Sequence, residues 1–349
     1  MPLPKETATR SRSVSRTRSR IISISAWVLG LVLTAYLVHR VGAASIAHAL
    51  ERVGARFFWL VAAYAAATAV AAIPWALLLP ARARPSWRAV VTSRFAASGL
   101  AALLPFFGLG EAGRLLWMPR LAWSSGTAAI VVDRLIYLVA GALFLFAAAG
   151  SARSLGSLPP QLISGAVVVG LAILAVSGGV ALIAARGQLG RAWNRLLATF
   201  APRRSRRAPG AWEPSLREML VGPRRTLLAG LTIHLASRLL FALEIYAGLR
   251  LLGLPSGWRV TAIFAAVPIA LSVAGTFIPG QLGLQEGVQA LVAAALGFGP
   301  AAGLTLVLLQ RVRQLLFVPL SGVLIALATR GSRRVGSESC SPDHVSLPS

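Results

Sequence analysis

The chain has 349 residues, of which 56% are hydrophobic and only 13% are charged, and its mean hydropathy is +0.72. Soluble proteins have about 25% charged residues, and a soluble fold of this length could not bury so much apolar surface. The formal net charge of +25 could indicate a nucleic-acid-binding protein. No nucleic-acid-binding module of basic and aromatic residues accompanies this charge, so we predict no nucleic-acid partner. The composition instead predicts an integral membrane protein.

Apolar stretches long enough to cross a bilayer as helices recur along the chain. A helix of about 20 apolar residues crosses a hydrocarbon core about 30 Å thick. We predict an all-α integral membrane domain over residues 21–330 that contains six full transmembrane helices, at residues 21–38, 57–79, 126–149, 162–185, 228–249 and 303–327. A disordered basic arm is predicted before it, at residues 1–20, and a disordered polar tail after it, at residues 331–349.

Lysine and arginine are concentrated in alternate loops. The basic segments are residues 1–20 with 6, residues 80–94 with 4, residues 186–227 with 10 and the tail from Arg330 with 3. The intervening loops hold fewer, with 3 in 39–56, 1 in 150–161 and 2 in 250–259. This asymmetry predicts a multi-pass protein of the cytoplasmic (inner) membrane with both termini in the cytoplasm. The cytoplasmic loop 186–227 is interpreted as a membrane-surface linker, and such basic loops attract anionic headgroups.

Two apolar regions are interrupted by proline and glycine. The first, residues 89–120, is interrupted at Pro105, Gly108 and Gly110, and the second, residues 258–300, at Pro268, Gly275, Pro279, Gly280 and Gly283. The parity of crossings between the basic loops predicts a re-entrant hairpin from each side, or eight spans if the hairpins cross. Broken backbone within a membrane survives only where it is buried in protein or faces water.

The two interrupted regions resemble each other. Each has a proline, a glutamate six or seven residues later and an arginine 23 or 25 residues after that, namely Pro105, Glu111 and Arg134 in the first and Pro279, Glu286 and Arg311 in the second. Together with the predicted opposite entry, this pattern indicates inverted repeats, which place broken helices face to face near the bilayer midplane.

Charged residues recur within the predicted spans. Each costs about 2.5–3.5 kcal/mol at the bilayer centre on insertion scales, so it must be paired or hydrated. They can form structural ion pairs, or they can line a polar cavity in which arginines grip a phosphate through paired donors. We predict a headgroup cavity formed by Glu111, Arg114, Asp133, Arg134, Arg238, Glu244, Glu286 and Arg311.

His234 lies on the same predicted helix as two of these charges. His234 and Arg238 are four residues apart on one face, and Glu244 lies roughly on that face, so the three form a proton relay in one interpretation. In the other, His234 makes a structural bond to backbone. No phosphate-binding loop, HExxH or GxSxG motif occurs, and the single Cys340 gives no cysteine cluster, so we predict neither a metal site nor a cofactor.

Four segments carry a resemblance to a known family. They read LLPFFGLGEAGRLLWMPRL at 103–121, VVDRLIYLVAGALF at 131–144, FIPGQLGLQEGVQALVAAALG at 277–297 and LLQRVRQLLFVPLSG at 308–322. Over residues 22–328 the chain resembles the flippase-like transmembrane region of lysylphosphatidylglycerol synthases, without the aminoacyl-transferase domain. Asp133 stands where that family commonly has glutamate, and Phe106 and Phe107 replace a polar or small pair.

The resemblance implies a lipid translocase that moves a phosphate-bearing or aminoacylated lipid between leaflets, with a membrane phospholipid or a polyprenyl-phosphate lipid as partner. An alternative is a membrane-embedded glycosyl or acyl transferase acting on polyprenyl-phosphate lipids, with Glu111 or Glu286 as general base. A third is an accessory scaffold in envelope biogenesis. The sequence contains no recognisable catalytic domain that would support the transferase. We therefore expect a transporter-like protein and not an enzyme.

Overall fold

The computed structural model describes residues 51, 53–81, 84–103, 111, 114–115, 123–156, 158–189, 212–222, 224–274 and 284–338. Within these ranges the chain is helical and contains no β-strand. In chain order the helices are α1 Phe57–Val70, α2 Ile73–Leu78, α3 Trp87–Leu103, α4 Trp123–Leu155, α5 Pro160–Ala185, α6 Glu213–Val221, α7 Arg224–Leu251, α8 Trp258–Ala274, α9 Leu284–Ala295 and α10 Pro300–Glu338.

Helices long and apolar enough to cross a membrane lie at five of the six predicted spans. They cover Gly54–Leu78, Ser124–Leu155, Pro160–Ala185, Arg224–Leu251 and Pro300–Leu320. The sixth predicted span, residues 21–38, lies outside the described residues. The all-α membrane fold predicted from the sequence is therefore confirmed.

Helices α4 and α7 form the centre of the described bundle. Helix α7 packs against α1, α2, α4 and α8, and α4 also packs against α5, α6 and α8. Leu239 and Leu243 of α7 are exposed, whereas its His234 and Glu244 are buried. The apolar outer face and polar inner face fit a helix that faces lipid on one side only, because intramembrane polar residues face the bundle interior.

The inter-helix connections lie at two opposite ends of the bundle. Leu158, Leu254 and Phe298, from three different connections, pack with one apolar cluster. Leu79, Leu189 and Trp212 pack with a second cluster, which also contains Leu216 of α6. The second end carries the arginine-rich connections and the first end carries the poorly charged ones, so the spatial arrangement agrees with the loop asymmetry of the sequence.

The interruption predicted at Pro268 is wrong, because Pro268 lies inside the continuous helix α8. Proline removes one backbone donor, yet a helix within a packed membrane bundle tolerates this loss when its neighbours hold the segment in place. The other predicted interruptions, at Pro105, Gly108, Gly110, Gly275, Pro279, Gly280 and Gly283, lie outside the described residues. Described helices end at Leu103 and Ala274 and resume near Glu111 and at Leu284.

The loop predicted over residues 186–227 contains more helix than the sequence analysis expects. Helix α6 occupies Glu213–Val221, and α7 begins at Arg224. Leu216 is fully buried against α4 and α5, and Met219 and Leu220 pack beside it. These residues have the i, i+3, i+4 spacing of an amphipathic helix. At the other end of the chain, α10 continues past residue 330 to Glu338.

Candidate functional site

An ion-pair network joins α3, the 111–115 segment and α4. Glu111 accepts hydrogen bonds from Arg94 at 2.7 Å and from Arg114 at 3.0 Å. Arg114 also contacts Asp133 at 3.1 Å, and Arg134 lies 3.9 Å from Glu111. The structure thus brings together four of the predicted site residues, Glu111, Arg114, Asp133 and Arg134.

Arg114 lies at the buried centre of this network. Its side chain is 0% exposed, and its guanidinium lies 4.5 Å from the centre of the Trp75 ring. Asp133 receives Arg114 on one carboxylate oxygen and His234 Nε2 on the other, at 3.0 Å. A buried arginine in this position is stabilised by a carboxylate and by an aromatic face.

Arg94 was counted in the basic segment 80–94 in the sequence, whereas the structure places it inside helix α3. Helix α3 begins at Trp87, after Ser86, whose hydroxyl accepts a hydrogen bond from the Ala89 N–H. Arg94 therefore lies two turns inside the helix. The signal that could have placed it is Pro85-Ser86, since serine is a favoured N-cap.

Glu286 and Arg311 form a second ion pair, between α9 and α10. Arg311 Nε donates to the Glu286 carboxylate at 3.1 Å. The preceding residue of each helix adds a second contact, in which Gln285 Nε2 donates to the Gln310 side-chain oxygen at 2.9 Å. Arg311 lies about 16 Å along α10 from its first residue, Pro300, at about 1.5 Å per residue. This rise equals about half the thickness of a 30 Å hydrocarbon core.

Glu244 pairs with Arg313 and not with His234. Arg313 Nε lies 2.9 Å from Glu244, and its guanidinium covers the Tyr64 ring at 3.6 Å. His234 and Glu244 have partners on different helices, so the described contacts do not link the two residues directly, and the relay stays a prediction. A structural bond from His234 to backbone is also not observed among the described residues, because its partner is Asp133.

A polar cavity of about 290 Å³ lies between α1, α4, α7, α8, α9 and α10. The charged residues that line it are Arg238, Glu244, Arg311 and Arg313, and its polar and aromatic lining includes Tyr64, Tyr137, Gln285, Gln310 and Gln314. Three predicted site residues, Arg238, Glu244 and Arg311, therefore line one cavity. Glu111, Arg114, Asp133, Arg134 and Glu286 do not line it but belong to the adjoining ion pairs.

Arg238 differs from the other arginines of the cavity. Arg311 and Arg313 have carboxylate partners, whereas none of the ion pairs within the described residues includes Arg238. Its guanidinium instead lies 3.9 Å from the centre of the Tyr137 ring, and its Nε has no hydrogen-bond partner among the described residues. Arg238 is only 8% exposed, so it is a buried cation in the lining of a polar cavity.

Tyr137 connects the cavity with the ion-pair network, and the sequence analysis missed it. Its ring contacts the guanidinium groups of Arg238 at 3.9 Å and Arg134 at 4.7 Å, and meets the His234 ring edge to face at 5.4 Å. A tyrosine within an apolar span gives no periodic signal. Its position four residues after Asp133 on one helix face was the available clue.

The described residues contain no group of three or more His, Cys, Asp or Glu that could hold a metal ion. The described residues form a bundle of apolar helices that contains a polar cavity, and around this cavity and the adjoining ion pairs they have more arginines than carboxylates. They define a polytopic membrane protein with a polar cavity inside its helix bundle.

Residues 22–322 match the family model described as the lysylphosphatidylglycerol synthase TM region. The chain belongs to this family, which relates it to membrane lipids. Comparisons with curated proteins and with solved structures give no match.

Proposed function

We propose that this protein is a lipid translocase that moves a phosphate-bearing lipid between the leaflets of the cytoplasmic membrane. Arg238 carries the proposal, because it is a buried arginine that faces the cavity without a carboxylate partner among the described residues. A charge at the bilayer centre is costly unless it is paired. The anionic headgroup supplies the missing partner.

The chemistry of the cavity suits a phosphate. A guanidinium presents planar paired donors that match phosphate oxygens, and the Tyr137 ring supports the flat face of Arg238. Gln285, Gln310 and Gln314 add uncharged donors to the same lining. These groups replace the water that the headgroup loses on entering the membrane.

The acyl chains remain in lipid while the headgroup passes through the cavity. This separation lowers the cost of carrying a charged group across hydrocarbon, because only the headgroup needs a polar path. The Glu286–Arg311 and Glu244–Arg313 pairs keep the remaining arginines neutralised when the cavity is empty. The arginine-rich end of the bundle faces the cytoplasm in this proposal, with both termini on that side, and holds anionic headgroups near the entrance.

Among the residues that the structure describes, no contact favours the transferase. Glu111 already accepts hydrogen bonds from Arg94 and Arg114, and Glu286 accepts one from Arg311. A general base must instead reach the proton that it abstracts.

The test is leaflet exchange of a fluorescent phosphatidylglycerol in liposomes that contain the purified protein. Arg238→Gln should reduce the rate at least about tenfold, because a bidentate charged contact contributes more than about 1.4 kcal/mol. Arg238→Lys should retain part of the rate, since an ammonium keeps the charge but loses the paired donors.

The matched control is Arg225→Gln, on the same helix but exposed. It should keep the wild-type rate, because exposed charges are screened by salt. Wild-type exchange in Arg238→Gln would refute the role of Arg238. Exchange in the wild-type liposomes no faster than in protein-free liposomes would refute translocation of this lipid.

A further inference from the structure

His234 is a buried histidine whose ring has one nitrogen in use and one free. Its Nε2 lies 3.0 Å from an Asp133 carboxylate oxygen, and its Nδ1 has no hydrogen-bond partner among the described residues. The residue is 1% exposed. Because a carboxylate is an acceptor, the neutral ring carries its hydrogen on Nε2, and the lone pair of Nδ1 is the place where a proton can bind.

Charged and titratable groups reach His234 from two neighbouring segments and from its own helix. Asp133 and Tyr137 of α4 contact its ring, and Arg114 contacts the other oxygen of Asp133. Arg238 follows one turn later on α7. Helices α1 and α2, which also pack on α7, carry no Asp, Glu, Lys, Arg or His.

The remaining charges near α7 have partners elsewhere. In α8 the charged residue is Arg259, which lies in the first turn against Trp258. The charges of α10 at this level contact Glu286 and Glu244. Asp133 is therefore the carboxylate that His234 contacts among the described residues.

This environment already has more positive than negative charge. Within the described part of the chain, the ion pairs of the network join three arginines, Arg94, Arg114 and Arg134, to two carboxylates, Glu111 and Asp133. Arg238 adds another cation next to Tyr137. A proton on His234 increases this surplus of positive charge, and an anion in the cavity offsets it.

We propose that His234 is a proton-binding site whose occupancy is linked to that of the anion site at Arg238, so that the headgroup and a proton move together. This inference rests on the proposed function. The proton comes from water and adds to Nδ1, which converts the imidazole to an imidazolium while Nε2–H stays on Asp133. Tyr137 is the physical connection, since its ring contacts both His234 and Arg238.

Linkage makes the coupling reciprocal. If protonation of His234 strengthens anion binding, anion binding strengthens proton binding by the same factor. Histidine is the side chain that ordinarily changes charge between about pH 5 and pH 8. The anion should therefore bind more tightly at the acidic end of this range and should take up a proton as it binds.

The test uses detergent-solubilised full-length protein and dihexanoylphosphatidylglycerol, a short-chain phosphodiester whose own charge is constant over this pH range. Titration calorimetry in two buffers with different ionisation enthalpies gives the number of protons taken up per anion bound. For the wild type we expect net proton uptake near neutral pH and an affinity that falls at least about fivefold from about pH 5.5 to about pH 8, the lower end of usual coupling.

His234→Gln should abolish both effects while it still binds the anion, because glutamine can donate to Asp133 but cannot take up a proton. Ser237→Ala is the matched control, since Ser237 is buried on the same helix and bonds to the Ala67 carbonyl instead. The control should keep the proton uptake. Undiminished uptake in His234→Gln, or none in the wild type, would overturn the inference.

Histidine NMR provides a measurement that does not depend on that variant folding. The chain has 4 histidines, and replacing His39, His48 and His344 by Gln leaves His234 as the only ring to observe. Addition of the anion at fixed pH should increase its charged fraction, and no change would contradict the coupling. Binding without proton uptake would overturn this inference alone, whereas absence of binding at every pH would overturn it together with the anion site.

Discussion

The Glu286 carboxylate accepts a hydrogen bond from Arg311 Nε at 3.1 Å, between helices α9 and α10. In the first of the two similar sequence units, Glu111 and Arg134 lie 3.9 Å apart. Each unit therefore places its glutamate near its own arginine. The second pair bonds directly, whereas in the first pair Arg94 and Arg114 make the shorter contacts to the glutamate.

Removal of one partner of the Glu286–Arg311 pair should destabilise the protein more than removal of both. Glu286→Gln or Arg311→Gln removes one partner of this ion pair, and breaking a buried pair costs about 3–5 kcal/mol. The double variant removes both charges. Thermal unfolding in detergent should give a lower Tm for each single variant and a largely restored Tm for the double variant.

The same variants separate stability from function. Arg311 lines the cavity, so the double variant should remain slow in leaflet exchange although its Tm recovers. Recovery of exchange together with Tm would show that the pair has only a structural role.

The face of Tyr137 should matter for anion binding, and its hydroxyl should matter less. Tyr137→Leu removes the ring beneath Arg238, which lies 3.9 Å from the ring centre. A cation over a desolvated ring contributes about 2 kcal/mol, so the affinity for dihexanoylphosphatidylglycerol should fall about tenfold or more by calorimetry. Tyr137→Phe keeps the face and should stay within about threefold of wild type. Equal losses in the two variants would assign the effect to the hydroxyl.

The spans could be predicted from the sequence because length and hydropathy are local properties, and the described helices agree with five of the predicted spans. The partners of the intramembrane charged residues could not be predicted, since they depend on how the helices are rotated against each other. The contact of His234 with Asp133 joins residues 101 positions apart, and nothing in the sequence near either residue indicates it. At Pro268 a local rule, that proline interrupts a helix, gave a wrong prediction, because packing within the bundle keeps helix α8 continuous there.

Gly303 should be intolerant of a methyl group. A Cβ at this position would overlap the backbone carbonyl oxygen of Gln289, where α10 crosses α9. Because backbone cannot move aside as a side chain can, Gly303→Ala should lower stability by about 1–3 kcal/mol or more. Thermal unfolding in detergent measures the change.

Gly178→Ala is the matched control, because Gly178 lies within helix α5 and an added Cβ would meet no described atom within 4 Å beyond its chain neighbours and the nearby backbone of its own helix. Alanine there reduces the freedom of the unfolded chain, so stability should stay the same or rise by about 0.4–1 kcal/mol. A loss as large in Gly178→Ala as in Gly303→Ala would mean that the effect is general to glycine in these helices and not due to the close crossing.

The orientation of the bundle gives the last prediction, and it follows from the two ends defined by the apolar clusters. Gln188 is an exposed residue of the arginine-rich end, and Gly257 is an exposed residue of the opposite end. Arginine-rich connections stay on the cytoplasmic side. In a Cys340→Ser background, Gly257→Cys should therefore react with a membrane-impermeant maleimide added to intact cells, and Gln188→Cys should react only after the membrane is permeabilised.

Ser11, Ser205 and Ser337 should behave like position 188 when replaced by cysteine, and Ser45 like position 257. Labelling of position 188 from outside, with protection of position 257, would show that the bundle has the opposite orientation, with its arginine-rich end outside.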